Sequence, residues 1–434
     1  MKENSVDIAQ PGETKEHGYR WTILSILTSA QIFLSMGAYS WGLLGMYLRP
    51  EMGISHAQVG MLTSTLYFAA VIIAIPSGIW VDRTGARKWL IISLLLMGVP
   101  FALMSLCHNY IFILVLSAVS GMGYGVLNQV SVKGLMYWFS FRSRATALGI
   151  KQSGVAIGGA LNGVILVALA STFHWHTAVL LVGALCLILS TISFFLYREQ
   201  HPQAHTSTVS SASAAGKETP PGKSEGLRAV LANPVLLITL AVMSLMTGGQ
   251  AGFAAHWPLF LKEDLFLSGT LTGTCFTAAM IVSAIARVGW GVISDRLLHG
   301  DRMKTMAVIN ITALLGATMA FFLYPGISTW VIFLSAFLIG VSFLGFQGVM
   351  MVFVAETAGA RLAGSIAGVT IAVTWIGMVI APSLFGTISD HWGYTWCWAL
   401  MSIFAIIGIV VFGTFSLRSK KKQIREAQKD VLIP

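Results

Sequence analysis

Twelve long apolar stretches separated by short polar connections set the pattern of the chain. They fall at 21–48, 57–80, 88–107, 110–137, 145–170, 177–197, 230–256, 268–292, 304–324, 328–354, 362–384 and 394–416. Each reaches the roughly 20 residues a helix needs to cross a bilayer core. Backbone groups facing lipid must be satisfied within their own segment, so the runs predict helices, spans 1 to 12. A closed barrel would need short strands of alternating polarity, which the pattern lacks.

One polar interval breaks the series. Residues 199–227 are rich in Ser, Ala, Pro, Gly and Lys, too poor in apolar groups to order themselves, and predict a flexible cytoplasmic linker. The expected organisation is therefore a tail at 1–20, a six-helix bundle at 21–198, the linker, a second six-helix bundle at 228–417 and a basic tail at 418–434. The expected fold class is all-α and integral to the membrane, with twelve transmembrane helices in two pseudo-symmetric bundles.

Internal repetition supports the two bundles. Gly78-Ile-Trp-Val-Asp82-Arg83-Thr-Gly85-Ala-Arg87-Lys88 follows span 2, and Gly291-Val-Ile-Ser-Asp295-Arg296 follows span 8. More weakly, Arg144, Gly149 and Gly158 entering span 5 echo Arg361, Gly368 and Gly377 entering span 11. Duplicated membrane bundles are mostly transporters, with the substrate site between the halves.

Composition and charge refine this picture. Of 434 residues, 56% are hydrophobic and only 10% charged, far below the ~25% of soluble domains. The net charge of +10 does not indicate nucleic acid. With a cytoplasmic N-terminus, 22 of the 27 Lys and Arg fall in cytoplasmic tails and loops, the distribution that orients membrane proteins. Both termini are thus expected in the cytoplasm, at a bacterial inner membrane, and residues 1–20 lack a signal-peptide layout. Cys107, Cys186, Cys275 and Cys397 show no paired spacing and read as packing residues. The histidines are scattered, so no metal, cofactor or enzymatic centre is expected.

The hairpin residues Gly78, Asp82, Arg83, Gly85, Arg87 and Lys88, with the second copy at Gly291, Asp295 and Arg296, resemble the major facilitator superfamily. The resemblance implies alternating access and assigns gating to Gly78, Asp82, Arg83, Gly85, Arg87, Asp295 and Arg296. In that family the aspartate at Asp82 contacts the start of a helix in the opposite half and holds the cytoplasmic side closed. Such a contact is physically sound, since a helix N-terminus attracts a carboxylate. Anchoring of topology is the alternative for Arg87 and Lys88.

Finer resemblances concern the substrate. Arg287-Val-Gly-Trp290-Gly291-Val-Ile-Ser-Asp295-Arg296 is similar to the span-8 signature of monocarboxylate and oxalate porters, whose arginine at this position binds substrate carboxylate. Span 11 departs from oxalate porters: it offers Thr370 and Thr374 in place of their lysine. Trp138, Phe139, Arg144, Ala147 and Gly149 resemble the span 4–5 connection of organic-anion symporters. The proline-bearing span-5 motif of drug antiporters is missing, and Ser117 stands where they carry arginine.

The buried charges point the same way. Lys133, Lys151 and Arg287 fall inside predicted spans, where each costs on the order of 2.5–3.5 kcal/mol. No carboxylate occupies the middle third of a span, so an anionic ligand is the natural counter-charge. Arg287 can hold a carboxylate through two parallel hydrogen bonds, whereas the lysines act as point charges. Gln152 accompanies Lys151, and Asn128 and Gln129 precede Lys133 by about one turn. All three cations could instead snorkel to the interface. Tyr39, Tyr67, Gln250 and His256 complete the candidate substrate-binding set, and Trp41, Tyr124 and Gln347 are further pocket candidates. Packing or an interfacial belt is the alternative for each. The glycines at 121, 123, 125, 154, 158 and 159 suggest close helix contact, and sliding during transport.

The expectation is a secondary transporter of a small organic anion, a carboxylate above all, using proton symport or anion exchange. With no mid-membrane acid, a proton would travel on the substrate or through His256. Its partners are the anion, the bilayer and candidate protons, with no nucleic acid, and the chain reads as a monomer. The alternatives are a multidrug or amphipath exporter of the same superfamily and, more remotely, a substrate sensor that does not transport.

Overall fold

A computed structural model of the chain describes residues 11–199, 228, 230–358 and 363–431, and no strand occurs among them. Among the described residues twelve helices are long and apolar enough to cross a membrane. They run Gly18–Met52, His56–Ala74, Ala86–Met104, Tyr110–Trp138, Thr146–Thr172, Trp175–Leu196, Pro234–Glu263, Gly269–Arg296, Arg302–Phe321, Thr329–Val354, Gly368–Trp392 and Tyr394–Leu417. These coincide with the predicted spans to within eight residues at either end. The protein is a multi-pass integral membrane protein. The linker expected at 199–227, beyond Glu199, and Arg361 of the weaker repeat lie outside the described residues. The basic tail continues the helix of span 12, which extends to Val431.

Local chemistry sets the helix ends. Ser55 and Gln58 form a reciprocal capping box at span 2, and Asn109, Asn233, Ser268 and Asp301 accept from the first-turn amides of spans 4, 7, 8 and 9. With twelve spans both termini lie on one face, here the terminal side; the opposite face is the far side.

The packing repeats with a six-span offset. In the first bundle span 1 packs on 5, span 2 on 4, and span 3 on 4 and 6. In the second, span 7 packs on 11, span 8 on 10, and span 9 on 10 and 12. The weaker repeat gains a structural meaning here. A Cβ at Gly158 would lie 2.4 Å from the Ile32 carbonyl of span 1, and one at Gly377 would lie 1.9 Å from the Ser244 carbonyl of span 7. The two glycines permit the same crossing in each bundle.

The halves meet mainly along spans 2 and 11 and along spans 5 and 8. Glycine allows both contacts. A Cβ on Gly60 would sit 2.1 Å from the Pro382 carbonyl, and Cβ atoms on Gly163 and Gly273 would each strike the other's carbonyl, at 2.0–2.2 Å. The hydrogen bonds that join the halves lie at mid-depth or toward the far side. Ser383 bonds to Ser64 at 2.8 Å, Thr277 to the Ala160 carbonyl at 2.8 Å, and Arg49 to Glu263 at 2.8 Å. On the terminal side, by contrast, Gly149, Gly289, Gly291 and Gly368 have nothing within 4 Å of a built Cβ. Among the described residues the molecule is closed on the far side and open toward the termini.

Three spans are irregular at mid-depth. Span 1 breaks at Tyr39 between helices Pro11–Ala38 and Ser40–Met52. Span 5 contains a π turn at Asn162–Leu166, whose Asn162 amide donates to the Met36 carbonyl at 2.8 Å, just before the break in span 1. Span 10 breaks between Ser342 and Gln347. Irregular backbone at membrane depth is tolerated where protein or a cavity surrounds it.

Candidate functional site

The broken spans aim polar groups at the centre. Gln250 of span 7 donates to the Tyr39 hydroxyl at 2.8 Å and accepts from the Gln347 amide of span 10 at 3.0 Å. The Tyr39 hydroxyl also meets that of Tyr67, and Tyr124 meets Ser35 and Gln31. Tyr67 and Tyr124 stand edge to face at 5.9 Å, each 6.1 Å from the Trp375 ring of span 11. The result is an aromatic wall with hydroxyl tips, contributed by both halves. A small void lined by Tyr39, Tyr67, Thr63, Gly42, Ala251 and Ala254 lies beside it.

Arg287 approaches this wall from span 8. It lies close enough to Tyr39 and Tyr124 to interact with them electrostatically, and its Nε and Nη1 are buried without a hydrogen-bond partner. Its backbone is pinned, because Gly348 of span 10 fits against the Arg287 carbonyl, which a Cβ would reach at 2.5 Å. Lys151 is 2% exposed and donates to Asn128 at 3.2 Å. Among the described residues neither cation has a carboxylate partner.

The two cations sit at matching depth in opposite halves. Gly159 of span 5 meets Met280 of span 8 across the halves. Lys151 precedes Gly159 by eight positions and Arg287 follows Met280 by seven, so each lies roughly 10–12 Å toward the terminal side at ~1.5 Å per residue. Buried donors without acceptors cost about 1–3 kcal/mol each, more when charged. An anion bound there would remove that cost.

Other expected site residues lie elsewhere. Lys133 donates to the carbonyls of Val81 and Asp82 at 2.5 and 2.9 Å, capping the end of the span-2 helix rather than entering the cavity. Gln129 packs beside Gly78 of span 2 for the same reason of facing. Gln152, one residue from Lys151, turns roughly 100° away and is exposed. His256 is fully buried on the far side, its Nε2 at 2.8 Å from the Pro382 carbonyl. Sequence proximity placed these residues near real candidates, but helical phase or depth separates them. Trp41 is fully buried against Phe101, at 5.7 Å, within the first bundle. Gly121, Gly123 and Gly125 meet spans 2 and 3 of their own bundle, so of the glycines expected to slide only Gly159 faces the other half.

The hairpins are held within their own halves. Asp82 and Arg83 are exposed, and Asp82 meets Lys133 at 3.9 Å. Gly85 takes φ +96°, and the Glu199 carboxylate occupies the place of a Cβ while it accepts from the Ala86 amide at 2.6 Å. Arg87 donates to the Phe194 carbonyl and lies over the Phe194 ring, which ties the hairpin to span 6. In the second half Arg302 bridges Asp295 at 2.5 Å and Glu356 at 3.1 Å, while Arg296 is exposed. Among the described residues Asp82 pairs with Lys133 of its own half, and a Cβ at Gly78 would meet Gln129.

Folding also assembles groups invisible in the sequence. On the far side Glu51, His108 and His176 bring three ligand-type atoms within 4.8 Å, although sequence spacing indicated no metal centre. Glu51 and His108 are exposed, and the Trp175 indole already donates to Glu51 at 2.8 Å. At the junction of the halves His56 stands between Glu263 and Asp390. Tyr124, Gln347 and Trp375 complete the central wall, and of these Trp375 carried no sequence signal beyond its aromaticity.

Comparison with known proteins agrees with this geometry. The family model for the Major Facilitator Superfamily matches residues 25–375. A hexuronate transporter of Bacillus subtilis (strain 168) is 23% identical over 375 residues, covering 84% of this chain and 88% of the relative. A D-galactonate transporter of Escherichia coli O6:H1 is 21% identical, covering 84% and 88%. The membrane sensor protein UhpC of Escherichia coli (strain K12) is 22% identical, covering 83% and 84%. A solved structure of a bacterial homolog of the human lysosomal transporter Spinster, inward-facing and unoccupied, superposes with a TM-score of 0.74 at 16% identity. It covers 91% of this chain and 96% of that one.

Proposed function

The chain belongs to the major facilitator superfamily, and from that premise we propose that it carries a small organic anion, a hydroxylated carboxylate, by alternating access. The observation that carries the reading is the buried Nε and Nη1 of Arg287, without partners among the described residues, beside the Tyr39 and Tyr124 hydroxyls. In this reading Arg287 receives the carboxylate through two parallel hydrogen bonds, and Lys151 adds attraction from the opposite half. Gln250, Gln347 and Tyr39 have the donors and acceptors to exchange their mutual bonds for bonds to substrate hydroxyls. Trp375 and the tyrosine rings supply faces for the apolar side of a sugar acid. The hexuronate and D-galactonate transporters among the relatives support this substrate class. The basic residues of the tails and loops support a cytoplasmic terminal side in a bacterial inner membrane.

Proteoliposomes assayed for counterflow of radiolabelled D-galactonate and D-glucuronate test the proposal. Saturable counterflow abolished by Arg287→Ala, with the variant still monodisperse, is the expected result. Normal counterflow in that variant would overturn the site. A sensor reading has one observation behind it, the similarity to a membrane sensor protein. Substrate-induced stabilisation without counterflow would favour it.

A further inference from the structure

We propose that the far-side junction between the halves is a proton-binding site, in which closure captures one proton between His56 and the carboxylates of Glu263 and Asp390. His56 belongs to the first half, at the start of span 2. Both acids belong to the second, at the far-side ends of spans 7 and 11. The His56 Nδ1 lies 2.6 Å from Asp390 Oδ1 and its Nε2 lies 2.7 Å from Glu263 Oε2. A carboxylate only accepts, and a neutral imidazole carries one N–H for its two nitrogens. Two such contacts require two bridging protons. The closed junction therefore holds one proton more than a neutral histidine and two free carboxylates.

The surroundings count the same way. Arg49 of span 1 pairs with Glu263 at 2.8 Å, and Tyr394 of span 12 donates to it at 3.2 Å. The His56 and Ala57 amides donate to Asp390, each at 2.9 Å. Asp264 lies next to Glu263 and interacts with His56, while His256 sits behind the cluster. Arg49 and a protonated His56 balance Glu263 and Asp390. Without the extra proton the cluster is left with an excess negative charge and with a third carboxylate, Asp264, alongside. The His56 side chain is only 12% exposed, so water has little room to replace the missing bond.

When the far side opens, His56 parts from both acids, because they ride on the other half. The closed junction is the shape that holds the extra proton, so far-side acidification closes this face and favours the shape open to the termini. With one proton exchanged, the closed-to-open ratio changes by up to about tenfold per pH unit. The inference rests on alternating access but not on the identity of the solute.

Electron–electron resonance distances between spin labels at Leu106→Cys and Trp392→Cys, both exposed far-side positions in opposite halves, test it. The protein is solute-free in nanodiscs, with Cys107→Ser to prevent labelling there. Between about pH 8 and pH 6 the short-distance population should grow about tenfold or more relative to the long one. His56→Gln should flatten this response, and Asp390→Asn or Glu263→Gln should each reduce it, which keeps the test decisive should one variant fail to fold. A pH-independent wild type, or an unchanged response in correctly folded variants, would overturn the proposal. Because no solute is present, that failure is separate from any failure of carboxylate counterflow.

Discussion

Gln250 donates to the hydroxyl of Tyr39 at 2.8 Å, one of the bonds that join the two halves at mid-depth, beside the buried, unpartnered Nε and Nη1 of Arg287. The partners come from span 7 and from the break in span 1. The link is both part of the wall and part of what holds the open shape.

Tyr39→Phe removes the acceptor of that bond and leaves the ring in place. A neutral hydrogen bond contributes about 1 kcal/mol, so the balance between the two open shapes should shift roughly fivefold. The distance distribution between labels in opposite halves reads this shift. An unchanged distribution would show that the bond contributes nothing to the conformational balance.

Arg287→Lys keeps the charge and loses the planar fork. Apparent affinity for a carboxylate should fall about tenfold or more, equivalent to roughly 1.4 kcal/mol, while maximal flux is less affected. Counterflow measured across a range of substrate concentrations separates the two parameters. Equal affinity in the lysine variant would mean that charge alone suffices.

Gly273→Val addresses the contact of spans 5 and 8. A Cβ there would meet the Gly163 carbonyl at 2.0 Å, an overlap that backbone cannot relieve without moving the spans apart. Far-side closure should be lost and flux should fall by about tenfold or more, with each bundle still folded. Far-side label distances and size-exclusion profiles check both halves of that outcome.

Lys133→Met should lower thermal stability by about 1–3 kcal/mol, because two carbonyls at the end of the span-2 helix lose their donor. Apparent affinity for solute should not move. A large loss of affinity with unchanged stability would return Lys133 to the cavity.

Much of the architecture was legible in the chain. Twelve apolar runs fix twelve helices because lipid leaves the backbone no other way to satisfy itself. The doubled glycine-aspartate hairpin indicated the duplication that the packing of spans 1 on 5 and 7 on 11 displays. Arg287 was also legible as a buried cation, and among the described residues no ion pair joins it to an acid.

Tertiary structure decided what sequence spacing could not. Lys133 and Lys151 both fall inside spans with an amide nearby, yet one caps span 2 and the other is buried against Asn128. The difference is helical phase, which an apolar background does not reveal, since a helix that is hydrophobic all round carries no marked face. His56, Glu263 and Asp390 stand at three separate loop ends where charge is ordinary, and only the docking of spans 2, 7 and 11 makes them a cluster. The sequence determined how many helices cross the membrane and that a cation waits among them. Which side chains share the space between the halves depended on rotation and depth, and packing alone sets those.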